Sequence, residues 1–201
     1  MPQANPNEGG NWGIMGGAFD PIHCAHLKLA ESAFKAFNLT GVFFIPGYNP
    51  PHRVEKPHAS YEDRVRMTEL AVKRYANFCV SRIEEKIKGP GYTLTTVQNL
   101  IVEYPRVNLF LILGADNIVL FETWFKPEKI QELVTIVVGG RPGFESDFEK
   151  SAWVAKVKRF EMPQIDISST AIRKLLKENK NIEGLVPGDV IRYIKTRRLY
   201  R

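Results

Sequence analysis

The chain has 201 residues, 44% of them hydrophobic and 25% charged, which suits one medium domain around a single core and excludes a disordered chain. No apolar run approaches the roughly 18 to 20 residues of a membrane helix, and the opening MPQANPNEGGN lacks the apolar stretch of a secretory signal. The net charge of +6 is spread along the chain, which argues for a pocket for small phosphorylated ligands over a nucleic-acid surface.

In chain order, NWGIMGG is predicted as a first strand ending in glycine. AHLKLAESAFKAFN follows with apolar residues at helical spacing (Leu27, Leu29, Ala30, Ala33, Phe34, Phe37), and TGVFFIP is a second strand. YEDRVRMTELAVKRYA is a helix with acidic residues in its first turn and Val65, Leu70 and Val72 among its core candidates. FCVSRIE is a third strand, TLTTVQNLIVEY a helix stopped by Pro105, and VNLFLILG the clearest buried strand. PEKIQELV and TIVVGG continue the alternation; beyond residue 160 the chain becomes mostly helical, with SSTAIRKLLKEN and PGDVIRYIKTRR. Such alternation, with continuous apolar strands, predicts a parallel sheet covered on both faces. One domain is expected, a strand-helix core over 1–160 and a helical C-terminal piece over 161–201. The dense run RYIKTRRLYR reads as a basic helix on a solvated surface. Cys24 and Cys79 make no disulfide framework, so a reducing cytoplasm is the simplest home.

Ligands of open α/β sheets bind beyond the carboxyl ends of the strands, and three segments fall there: GGAFDPIH, PGYNPPHR and GADN. At Gly16 and Gly17 the backbone turns sharply and a ligand can approach closely. Neither a P-loop ending nor GxGxxG is present. Asp20-Pro21 reads as a helix opening, with an acceptor side chain near the cap, so the helix is expected to begin between Pro21 and His23. His23 and His26 then share one face beside free backbone amides, a setting for phosphate, and their charge can rise when an anion binds. Zinc is a weaker rival because no third ligand accompanies the pair. In DISSTAIRKLL, Ser168 or Ser169 caps a second helix, Thr170 lies in its first turn, and Arg173 lies one turn on. Hydroxyls, amides and a guanidinium converge there as a pyrophosphate would require. NPPHR is a rigid loop that places Asn49, His52 and Arg53 near the same phosphate site. Asp116 serves either ribose hydroxyls or an Asx-turn, and Trp124 either stacks on a pyridine ring or packs in the core. Thr93, after Gly91-Tyr92, either caps its helix or lends its backbone to the pocket.

GGAFDPIHCAHL resembles the signature of the nucleotidyltransferase superfamily with a His-or-Thr, any residue, Gly, His motif; Ala25 stands where that motif has glycine. DISSTAIRKLL is similar to the ISSTxxR element of the same superfamily. IPGYNPPHR, GPGYTLTT, LGADNIVLFETWF, GGRPGF and LVPGDVIRYIKTRRLY resemble bacterial nicotinate mononucleotide adenylyltransferases, so the similarity runs from about Gly13 to Tyr200. The resemblance implies a Rossmann-like α/β fold, an open parallel sheet with helices on both faces. It implies adenylyl transfer from ATP to nicotinate mononucleotide, giving deamido-NAD and pyrophosphate, with His23, His26 and Arg173 on the triphosphate. The ATP pocket would draw on Gly16, Gly17, Phe19, Gly114 and Asp116, and on Ile167, Ser168, Ser169 and Thr170. The acceptor pocket would draw on Asn49, His52, Arg53, Tyr92, Thr93 and Trp124. Mg²⁺ would be held mainly by phosphates and water. Neither nucleic acid nor membrane is implied as a partner, and a homo-oligomer is compatible with the sequence. Ala25 is expected to act on ATP affinity and not on the fold. The alternatives are a sister transferase with another phosphorylated acceptor, such as nicotinamide mononucleotide or phosphopantetheine, and a non-catalytic nucleotide-binding relative.

Overall fold

The computed structural model describes residues 4–49, 57–140, 153–163 and 165–201. Six strands, β1 (Gly10–Gly17), β2 (Gly41–Pro46), β3 (Phe78–Val80), β4 (Val107–Gly114), β5 (Thr135–Gly140) and β6 (Lys158–Glu161), form one sheet in the order β3-β2-β1-β4-β5-β6. Every neighbouring pair is parallel. This is the doubly wound order in which the chain reverses direction across the sheet between β1 and β4.

The helices between strands are α1 (Cys24–Ala36), α2 (Tyr61–Val72), α3 (Thr93–Glu103), α4 (Ala115–Val119) and α5 (Pro127–Leu133). After β6 come α6 (Ser169–Lys177) and α7 (Gly188–Arg197). No described helix is long and apolar enough to cross a membrane.

Alternation along the strands sorts the core into two layers. Val42 and Phe44 of β2, Ile112 of β4 and Val137 of β5 face one layer, which they share with Leu27 and Ala30 of α1, Met67 of α2, Ile172 of α6 and Val190 of α7. Phe43, Ile45, Leu111 and Val138 face the other, with Val97 of α3, Ile118 of α4 and Ile130 of α5. The expected sheet with both faces covered is what the structure has.

Three expectations need correction. Helix α1 begins at Cys24, one residue beyond the expected start between Pro21 and His23, and its cap residue is His23, not Asp20. The third strand is only Phe78–Val80, because the chain coils into a 3₁₀ turn over Ile83–Lys86. A sixth strand, β6, was not expected: it precedes the mostly helical C-terminal piece, and only Phe160 within it is buried, so its charged neighbours gave no apolar run to read.

Trp12 is fully buried and stacks on Phe43 at 4.6 Å. Its ring lies so close to β2 that a Cβ on Gly41 would come 2.5 Å from Trp12 Cζ3 and 2.9 Å from the Asn77 carbonyl oxygen. Gly41→Ala is therefore expected to cost about 1–3 kcal/mol of stability by overpacking, read as a lowered midpoint in urea at unchanged slope.

Candidate active site

The carboxyl ends of β1, β2, β4 and β5 surround a cleft of about 850 Å³. Its floor is Gly16, Gly17, Gly47, Gly114 and Gly139. Glycine at 16 matters, because a Cβ there would meet nothing within 4 Å and would project into the space a ligand needs. From one face of the sheet come His23, Ala25, His26 and Leu29, with Met162, Ile167, Ser168 and Ser169 beyond β6. From the other face come Glu84, Tyr92, Thr93, Thr96, Asp116, Trp124 and Phe125.

The two histidines form one unit. Their rings stack at 3.7 Å between centroids, 23° apart, and the edge of His26 meets Phe19 at 5.2 Å. His26 Nδ1 accepts the backbone N–H of His23 at 3.2 Å, as a residue three places into a helix does in a capping box. A neutral imidazole that accepts at Nδ1 carries its proton at Nε2, so that nitrogen is the donor left for a ligand. Burial, and then the neighbouring His23, hold the His26 cation unfavourable and its pKa well below the ordinary 6.5. Before any anion binds, His26 is thus a neutral donor.

The second element docks onto the loop that carries the first. Ser168 caps α6, its Oγ accepting from the Ala171 N–H at 3.2 Å. Ser169 Oγ donates to the Pro21 carbonyl at 2.9 Å, and Arg173 Nη1 donates to the Asp20 carbonyl at 2.8 Å. Arg173 Nη2 also donates to Thr170 Oγ1 at 3.1 Å, confirming that they share a side. Arg173 and Thr170 border the cleft without lining it. Phe19, expected in the ATP pocket, is instead buried behind the cleft with a left-handed φ of 50°, its ring packed on His26 and Phe44.

On the opposite face, Tyr92 is the cap residue of α3 and Thr93 its first helical residue, so Thr93 does not cap. Asp116 does not end β4; it lies in the first turn of α4, with Oδ1 over Gly114, where a Cβ would come within 2.5 Å. Trp124 is half-buried against Phe121 at 5.1 Å and also lines the cleft, so packing in the core does not withdraw its ring from the pocket. Asn49 braces the turn before α3 instead of lining the cleft: its carbonyl accepts the Gly91 N–H at 2.8 Å. His52, Arg53 and the RPGF of GGRPGF lie outside the described residues.

Sequence reasoning missed three residues. Glu84 is 8% exposed in the cleft wall, accepts from the Tyr48 N–H at 2.9 Å and from Thr96 Oγ1 at 3.1 Å, and joins the loop after β2 to α3. Burial pushes its carboxyl above the ordinary value, against the pull of those bonds and of the Arg64 charge. Arg64 is buried and donates to the Ala18 carbonyl at 2.7 Å and the Gly47 carbonyl at 2.8 Å, tying together the exits of β1 and β2. Phe125 stacks on Tyr92 at 4.5 Å at the mouth. All three act through contacts distant in the chain; the acidic turn and helical spacing around Glu84 and Arg64 carried no sign of them.

Residues 14–175 match the cytidylyltransferase-like family. A probable nicotinate-nucleotide adenylyltransferase of Carboxydothermus hydrogenoformans is 36% identical over 96% of this chain and 99% of its own. One of Desulfitobacterium hafniense is 39% identical, over 94% and 95%. Among solved structures, the Plasmodium falciparum nicotinic acid mononucleotide adenylyltransferase complexed with NaAD superposes with a TM-score of 0.76 at 20% identity, covering 94% of this chain and 97% of that one.

The depressed His26 pKa fixes a sign. The unfolded chain takes up this proton near pH 6.5 and the folded chain only at lower pH, so the contribution to stability is full above 6.5 and is lost as pH falls below it. His26→Gln keeps an acceptor for the cap and removes the titration. The stability difference between wild type and variant is expected to stay flat above pH 6.5. Below it, the difference should move against wild type by up to about 1.4 kcal/mol per pH unit, measured by denaturant titration. A difference that stays constant down to about pH 5 would contradict this.

Proposed function

We infer the chemistry from one premise: the chain belongs to the cytidylyltransferase-like family, among the nicotinate-nucleotide adenylyltransferases. It transfers the adenylyl group of ATP to nicotinate mononucleotide, giving deamido-NAD and pyrophosphate. The observation that carries this reading is the convergence of the His23–His26 pair and the Ser168–Arg173 element on the Asp20-Pro21 step, at the reversal point of the sheet.

A phosphate oxygen of the acceptor attacks the α-phosphorus of ATP. The new P–O bond forms as the bond to the bridging oxygen breaks, and pyrophosphate leaves with the electron pair. No nucleophilic side chain is required; the protein holds the two phosphates in line and stabilises the charge that builds on the phosphorus and the leaving group. His26 Nε2–H donates to a phosphate oxygen, with His23 beside it and Arg173 adding positive charge; the Cys24 amide, which a helix start would otherwise offer to an anion, is bonded to the Leu185 carbonyl at 2.9 Å and the His26 amide to the His23 carbonyl at 3.0 Å. Leu29, Gly139, Met162 and Ile167 make the apolar side suited to a base, and Asp116 is placed for ribose hydroxyls. Tyr92, Thr93 and Trp124 form the wall for the pyridine ring, with Asn49 bracing it; His52 and Arg53 are assigned to the acceptor from the sequence. A divalent cation neutralises phosphate charge when bound. Mg²⁺ would come with the nucleotide, held mainly by phosphates and water.

Pyrophosphate release from ATP and Mg²⁺ is expected with nicotinate mononucleotide, and not with phosphopantetheine; release driven only by another acceptor would discard the pocket assignment. His26→Gln is expected to lower kcat by about 10²–10³ while the fold persists, as loss of a donor to developing charge does. Trp124→Ala is expected to raise KM for the acceptor and leave KM for ATP near wild type, which steady-state kinetics would read directly.

A further inference from the structure

The basic run after residue 190 is not spent on an external surface alone. Tyr193 OH donates to Asp63 Oδ1 at 2.8 Å and Arg197 Nε to the same oxygen at 3.4 Å, which fastens α7 onto α2. The chain then turns through left-handed residues, Arg198 at φ 53° and Tyr200 at φ 65°. Tyr200 is buried, and its hydroxyl donates to Asp20 Oδ1 at 2.8 Å.

Asp20 is fully buried inside the loop between β1 and α1. Its carboxylate also receives the backbone N–H of Ala59 at 3.1 Å on Oδ1 and that of His58 at 2.8 Å on Oδ2, with His58 Nδ1 3.5 Å from the latter. Its carbonyl receives Arg173. This loop belongs to neither the strand nor the helix, so side-chain struts set its position. Three of them end on one residue: α6 through the carbonyl, the approach to α2 through two amides, and the segment after α7 through Tyr200. Among the described residues two side chains meet the carboxylate, the His58 imidazole at 3.5 Å and the Tyr200 hydroxyl at the shorter 2.8 Å, and the hydroxyl can be removed without touching the backbone or the ring beneath it. Burial, with the adjacent Asp20, pushes the Tyr200 pKa up, so the hydroxyl stays protonated and donating at any working pH.

We propose that Tyr200 is a positioning residue for the nucleotide: by donating to Asp20 it fixes the 18–21 turn against which both the histidine pair and Arg173 are set. The proposal rests on the adenylyl-transfer reading of the cleft. The turn carries no substrate contact from Tyr200 itself; its effect passes through placement of the triphosphate, where a displacement of about 1 Å is enough to be felt in rate.

Tyr200→Phe removes one hydroxyl and keeps the buried ring. The ATP dissociation constant, by calorimetry, is expected to rise about tenfold and kcat to fall about tenfold, with KM for nicotinate mononucleotide within about twofold of wild type. Met67→Leu changes the packing under the same ring and removes the thioether that accepts weakly from the Tyr200 hydroxyl at 4.0 Å, while leaving the hydroxyl's bond to Asp20 in place. It is expected to lower stability while leaving ATP affinity at wild type. Wild-type ATP affinity and turnover in Tyr200→Phe would overturn the proposal. So would an equal loss of ATP affinity in Met67→Leu, which would mean general loosening. If the wild type binds ATP but transfers to no acceptor, the adenylyl-transfer reading fails, and the calorimetric comparison still decides whether the hydroxyl positions the nucleotide.

Discussion

β1 and β4 are hydrogen-bonded neighbours whose chains leave the sheet toward opposite faces, α1 on one side and α4 on the other. Nothing regular can fill the space between those departures, so a crevice must open above the ends of the two strands. The described residues that line the cleft are arranged around that opening. Glycine at the strand ends keeps the floor low, the histidines stand on the first turn of the helix that departs one way, and Asp116 stands on the helix that departs the other.

A crevice made by divergence has weak walls, and the structure reinforces them with buried polar struts. Arg64 draws the exits of β1 and β2 together through two carbonyls, at distances expected of charge-assisted bonds, each worth about 1.5–3 kcal/mol. Glu84 does the same between the loop after β2 and α3, and Asp20 between the first loop and three later parts of the chain. These groups are costly to bury and are satisfied only in one arrangement, which is how they define geometry more than they add stability.

The sequence made the local features legible. Strand and helix order followed from apolar runs and spacing, and the two phosphate elements were visible because each is a short motif at the start of a helix. What depends on distant contacts was not. Asp20 beside Pro21 has the chemistry of a cap, yet its acceptors are taken by residues 58, 59 and 200, and the cap passes to His23. Glu84 and Arg64 look like surface charges until the fold buries them. Thr93 has better capping chemistry than Tyr92, but the turn at Gly91, held by Asn49, sets where α3 begins.

The two ends of the sheet have a different bearing. β3 is three residues long, and β6 is four, with Lys158, Arg159 and Glu161 exposed around one buried phenylalanine. A strand arriving from another molecule would find few backbone groups in register at either margin, and at one of them charged side chains in its way. Short, charged margins of this kind are how open sheets avoid templating further strands. The reactive cleft can therefore stay open at the centre while the periphery resists aggregation.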